Sequence, residues 1–193
     1  MNMRAIKKKN MKGQFFLIGG FLVLLLFYTG ISTFFSPGYS QKGIKGEMAN
    51  FFSNIKDEYP AALNLGLNST GGAQALVNFT DIVINATKGR GASLAALWIL
   101  THNSSDNLNV TVGNYMGAAL NVTLNVSGSL STLEIGGGET ASVVFASPLS
   151  ELDFRASFNT TEKNLLLEKY KTNLYVFLEM KKGSDKITGE TVA

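Results

Sequence analysis

The chain has 193 residues, room for one ordinary domain beside a membrane segment, and a net charge of +3 from 17 basic and 14 acidic residues. Arg4, Lys7, Lys8, Lys9 and Lys12 supply five of those cations; without them 12 basic residues face 14 acidic ones, a balance of −2, so the body lacks the basic surface a nucleic-acid binder needs. Cysteine is absent, which excludes a disulfide framework, a thiolate metal site and a cysteine nucleophile.

No charged residue occurs from Gly13 to Gln41, and the dense apolar part runs over the 21 residues from Phe15 to Phe35. As a helix rising ~1.5 Å per residue it spans roughly 31 Å, the thickness of a bilayer's hydrocarbon core. Its apolar residues fall on every side, so the helix belongs in lipid or inside a bundle of similar helices. Five cations precede the run, which keeps the N-terminus in the cytoplasm and puts the body outside. A removable secretory signal has an apolar region of roughly 7–15 residues before a small-residue cleavage site; this run is longer.

"KKKNMKGQFF" (Lys7 to Phe16) resembles the leader of archaeal type IV pilin-like proteins, the class III signal peptides. In that family a short basic leader ends in Lys/Arg-Gly, and a membrane-embedded peptidase cuts after the Gly. The resemblance implies Gly13 as the last leader residue and Gln14 as the mature N-terminus, with the apolar helix retained. It also implies the partners: membrane lipid, the leader peptidase, and further copies of the chain or other pilin-like subunits in a filament. Many pilins carry Glu at the fifth mature position and often Ser at the third; Ile18 and Phe16 stand there in this chain.

Ser36-Pro37-Gly38 ends or kinks the span. Met48, Phe51, Phe52, Ile55 and Tyr59 then recur at helical spacing and predict an amphipathic helix up to Pro60. Leu76, Phe79, Val83 and Ala86 predict a second helical stretch, broken at Gly89-Arg90-Gly91.

From Leu94 the period changes to two. Leu94 to Leu100 is apolar on both faces and reads as a central strand, with a short helix as the alternative. Leu108, Val110 and Val112 alternate with Asn109 and Thr111; Leu120, Val122, Leu124 and Val126 alternate with Asn121, Thr123 and Asn125. Ala141, Val143 and Phe145 form a less clean set, because Val144 stands on the opposite face. Leu152, Phe154, Ala156 and Phe158 alternate again, as do Leu174, Val176, Leu178 and Met180, with residues 187–192 as a partner strand. Ser127-Gly128-Ser129 reads as a turn and Gly136-Gly137-Gly138 as a hairpin turn. The run from Val110 to Phe145 resembles a small immunoglobulin-like adhesion module. The expected fold is α+β: a long N-terminal transmembrane and stalk helix followed by an antiparallel, immunoglobulin-like β-sandwich. The expected divisions are a cytoplasmic leader over 1–13, a transmembrane helix over 14–36, a helical connecting region over 37–91 and an extracytoplasmic β-sandwich domain over 92–193.

Asn-x-Ser/Thr occurs eight times, at Asn68, Asn78, Asn85, Asn103, Asn109, Asn121, Asn125 and Asn159. With 17 Asn, and 31 Ser and Thr among 193 residues, chance gives roughly three such sequons. All eight fall in the part assigned outside, where several of them, not all, are expected to carry glycans, although Asn, Ser and Thr also suit the wet faces of strands. A catalytic constellation is not apparent. His102 is the only histidine and reads as a solvated loop residue; Asp106 has no acidic partner in its loop and reads as a turn rather than a calcium ligand. No cofactor, metal or catalytic residue is expected, nor nucleic acid as a partner. The expected role is a pilin-like subunit whose glycosylated β domain is displayed for adhesion. The alternative is a single-pass, membrane-anchored surface glycoprotein or binding module that does not polymerise.

Overall fold

The computed structural model describes residues 41–67, 71–104, 106–146, 151–168 and 170–193, with side chains from residue 46 onward. The leader, the Gly13–Gln14 bond and the apolar run of 15–35 lie outside the described residues, as does Asn68. Among the described residues no helix is long and apolar enough to cross a membrane.

Among the described residues two helices, α1 (Gln41–Leu67) and α2 (Gly72–Gly89), precede nine strands: β1 (Ser93–Asn103), β2 (Asn107–Tyr115), β3 (Leu120–Val126), β4 (Ser129–Ile135), β5 (Glu139–Ala146), β6 (Glu151–Phe158), β7 (Thr161–Glu168), β8 (Thr172–Lys182) and β9 (Asp185–Val192). The strands form two antiparallel sheets, ordered β5-β2-β1-β8-β9 and β4-β3-β6-β7. The expected antiparallel β-sandwich is therefore present.

The five-stranded sheet is covered on both faces. Leu97 and Ile99 of β1, Leu108, Val110 and Val112 of β2, and Tyr175 of β8 pack toward Val122, Leu124, Phe154 and Leu167 of the four-stranded sheet. Trp98 and Leu100 of β1, with Leu174, Val176, Leu178 and Met180 of β8, face the other way, onto Met48, Phe52, Ile55, Tyr59 and Leu63 of α1 and Leu76 and Val83 of α2. Double coverage is why Leu94–Leu100 is apolar at every position: a strand wetted on one side would alternate. Residues 48–193 thus form one compact unit with two apolar layers.

The helices differ from expectation in two places. α1 continues through Pro60 to Leu67. The proline costs a backbone hydrogen bond, of order 3 kcal/mol in a helix interior, but Tyr59 and Leu63 on either side of it are buried and offset that cost. Along α2 the buried stripe is Leu76, Thr80, Val83 and Thr87; Phe79 is half-buried and Ala86 exposed. The two threonines fit a dry stripe because each donates its hydroxyl to the carbonyl one turn back, Thr80 to Leu76 and Thr87 to Val83, both at 2.6 Å. With its proton so committed, Thr80 accepts from the Tyr59 hydroxyl at 3.2 Å. Burial pushes the Tyr59 hydroxyl well above its ordinary pKa.

The hairpin expected at Gly136-Gly137-Gly138 is corrected. Ser127-Gly128 is a two-residue hairpin turn, with φ 46° and 94° as a type I′ turn requires. Gly136-Gly137-Gly138 instead carries the chain from β4 in one sheet to β5 in the other. Asn114, fully buried at the end of β2, holds that crossing. Its Nδ2 donates to the carbonyls of Ala118 and Ile135, both at 2.8 Å, its Oδ1 accepts from Met116 N–H at 3.0 Å, and its carbonyl accepts from Gly138 N–H at 2.7 Å. One side chain thereby ties the two passages between the sheets, β2 to β3 and β4 to β5.

Trp98 fixes the contact between the helices and the sheet. It is fully buried, and Gly113 is its cross-strand neighbour on β2. A Cβ at Gly113 would overlap the indole ring, so glycine is required by the tryptophan rather than by a turn. Gly113→Val should destabilise the unit by about 1–3 kcal/mol, the usual range for overpacking a core. Urea unfolding followed by Trp98 fluorescence measures it, and an unchanged midpoint would refute this packing account.

Candidate functional surface

The faces left free by packing carry the sequons. On α2, Asn78 and Asn85 are exposed, opposite the buried stripe. On β2, Asn109 is exposed on the face that bears the helices, beside exposed Val144 of β5. On the outer face of the four-stranded sheet stand Asn121, exposed, and Asn125, half-buried. Asn159 is exposed at the β6–β7 turn with φ 48°, a left-handed conformation that asparagine tolerates better than most residues. Asn103 is different: it is fully buried at the end of β1, its N–H donating to the Lys171 carbonyl at 3.0 Å and its carbonyl accepting from Tyr170 N–H at 2.6 Å.

The outer face of the four-stranded sheet is the most developed of these surfaces. Register aligns Leu130, Asn125, Arg155 and Asn164 across its four strands, and Thr132, Thr123, Ser157 and Glu162 in the next row but one along β3. The Arg155 guanidinium donates through Nε to Asn164 Oδ1 at 2.9 Å and lies 3.0 Å from Glu162 Oε1. The Ser127 N–H donates to the Asp153 carbonyl at 2.8 Å, which closes the hairpin end against β6. Between these side chains lies an open hollow of about 570 Å³, bordered by Asn125, Ser127, Asp153, Arg155, Asn164 and Leu166. Sequence reading finds the asparagines by their motif, but not the hollow, because its members come from three strands and only pairing brings them together.

At the edge where β7 and β9 meet, three polar groups close the sandwich. Glu190 accepts from Lys163 Nζ at 2.8 Å and from the Tyr175 hydroxyl at 3.0 Å. Lys163 holds the Glu190 carboxyl below the ordinary carboxylate range, aided by Tyr175. Burial, together with the neighbouring carboxylate, pushes the Tyr175 hydroxyl up. Lys163 comes from one sheet and Glu190 from the other, so the pair bridges the layers.

His102 lies within β1 rather than in a loop; it is exposed, and its Nδ1 pairs with the Thr172 hydroxyl at 2.9 Å. Asp106 is exposed ahead of β2. Among the described residues no three His, Asp or Glu side chains are grouped to hold a metal ion. No protein-family model matches the chain, and no match is found among curated proteins.

Glycan analysis should find Asn103 unmodified in the folded protein, because a sugar on a fully buried amide would have to displace the end of β1. Mass spectrometry of tryptic glycopeptides tests this; modified Asn103 in native protein would contradict its placement. The Glu190 carboxyl is lowered by folding, so its contribution is present above its ordinary pKa and lost as pH falls through the folded value. The stability gap between wild type and Lys163→Met should therefore narrow from about pH 6 to about pH 3 in urea titrations. An equal gap at both would mean that Lys163 contributes only by packing.

Proposed function

We propose that this chain is a structural, pilin-like surface subunit. The N-terminus lies in the cytoplasm, and the apolar helix anchors the chain in the membrane before assembly. In a filament the same helix packs in the core, where withdrawal of its apolar surface from water drives association. The C-terminal unit lies outside the membrane, carries glycans and offers a surface for adhesion. Its immunoglobulin-like character is one of architecture, two antiparallel sheets face to face, with a strand order of its own. The mechanism is assembly and display, without turnover and without a cofactor.

The observation that carries this reading is Lys12-Gly13-Gln14 standing directly before an apolar run long enough to span a bilayer, with five cations ahead of it. It is supported by the placement of Asn78, Asn85, Asn109, Asn121 and Asn159 on exposed faces. A second reading, an anchored surface glycoprotein that does not polymerise, is favoured by one observation: Ile18 stands where many pilins carry Glu.

Mass spectrometry of the mature N-terminus in membrane and sheared-surface fractions tests both. Gln14 as first residue, recovered in sheared filaments, is expected. Gln14 found in the membrane fraction alone selects the anchored form, and so does an intact Met1. A mature start near residue 39 would remove the helix and overturn both readings.

A further inference from the structure

The outer face of the four-stranded sheet is polar except at two points. Leu130 is 71% exposed and Leu166 is 60% exposed, on strands where every other outward side chain of β4 and β7 is polar or charged. Leu130 stands in the row that contains Asn125 and Leu166 lies beside it. Leu130 is the cross-strand partner of Asn125, and Leu166 pairs with Asp153, two residues before Arg155, which is Asn125's partner on the other side. Leu166, Asp153, Arg155 and Asn164 border the hollow into which the Asn125 side chain also opens. At about 570 Å³ the hollow falls within the roughly 300–1,000 Å³ typical of small-ligand sites.

Asn125 is also held. Its Oδ1 accepts the Gly128 N–H at 2.9 Å, which fixes the amide plane and commits the oxygen to the turn. The nitrogen, the atom that a glycan would occupy, takes no part in that bond. The lining chemistry suits a saccharide: a carboxylate, a guanidinium and an amide for hydroxyl groups, beside aliphatic surface for the carbon-bound hydrogens of a ring.

We infer that the hollow is the seat of the first sugars of a glycan carried on Asn125 of the same chain. The glycan lies along the sheet between Leu130 and Leu166 and hydrogen-bonds Asp153, Arg155 and Asn164. Asn125 is then a structural modification site, in contrast to Asn121 four residues earlier, whose glycan extends into solvent. This rests on the reading of the chain as an exported glycoprotein.

The test uses full-length protein purified from its own membranes, with site occupancy read by mass spectrometry and stability by thermal unfolding. Asn125 should be occupied. Ser127→Ala abolishes that sequon while leaving the asparagine in place, and should lower the unfolding temperature by about 2–4 °C, the shift a modest loss gives a unit of this size; Thr123→Ala, which abolishes the sequon of Asn121, should lower it less. Arg155→Ala should cost several degrees in the glycosylated protein and little in the Ser127→Ala background. Equal cost of Arg155→Ala in both backgrounds overturns the seat, as does an empty Asn125 beside an occupied Asn121. A complete absence of glycan at all eight sequons overturns the glycoprotein reading as well, so the two failures are distinguishable.

Discussion

The organisation of residues 48–193 depends on burying the middle of one sheet from both sides. β1 and β8 lie at the centre of the five-stranded sheet, and each presents large apolar side chains upward and downward: Leu97 and Ile99 against Trp98 and Leu100, Tyr175 against Leu174 and Val176. Neither face can be left in water. A fully buried side chain of that size is worth roughly 1.5–3 kcal/mol, and β1 alone carries several. The four-stranded sheet covers one face and the αα pair the other. The helices are therefore a layer of the fold, and removing them would expose the Trp98 layer. For a chain without cysteine this is the relevant economy: two apolar layers around one sheet do the work that disulfides do in smaller secreted domains.

The same constraint decides where polar chemistry remains. Once both faces of the central sheet are covered, the free surfaces are the back of the four-stranded sheet, the outer side of α2 and the strip of β2 and β5. The exposed sequons of Asn78, Asn85, Asn109 and Asn121 occupy those places and that of Asn159 stands at the β6–β7 turn; among the described residues the two faces that would be ruined by a bulky sugar carry none apart from Asn103, which sits at the end of a buried strand. The edges are treated differently. At the β7–β9 side the Lys163–Glu190 pair spans the gap between sheets, and at the opposite end the buried amide of Asn114 ties two crossings together by hydrogen bonds. An unpartnered buried amide would be costly, so Asn114 stabilises only because its donor hydrogens and carbonyl oxygen all find backbone partners.

Much of this was legible in the residues. Alternation located β2, β3, β5, β6 and β8; β9 was legible only as a partner strand for β8, and the unbroken apolar run of β1 marked it as central. What escaped did so for identifiable reasons. In β7, Leu165-Leu166-Leu167 puts an apolar residue on the wet face and hides the period of two; β4 is masked in the same way by Leu130. The helix through Pro60 was unreadable because burial of Tyr59 and Leu63 outweighs a local rule. The glycine run 136–138 looks like any hairpin turn, since a crossing between sheets and a hairpin demand similar backbone freedom; only the strand order separates them. Asn114 has no sequence signal at all, because its partners are backbone groups of the following loop and of the end of β4. The hollow beside Asn125 is likewise a product of register: the motif names the asparagine, and the pairing of β3 with β6 supplies the neighbours.

The two leucines that obscured β4 and β7 lead to the last step. A side chain of that kind on a wet face is ordinary when it stands alone. Here one sits directly across from Asn125 and the other borders the same hollow, with Asp153, Arg155 and Asn164 between. The irregularity in the hydrophobic pattern and the sequon therefore fall at one place on the sheet, from segments separated by dozens of residues. If the leucines served the fold they would point inward, as Leu133 and Leu165 do. Pointing outward, they gain only when something covers them, and in the proposal above a sugar on Asn125 would be that covering group, tethered within reach.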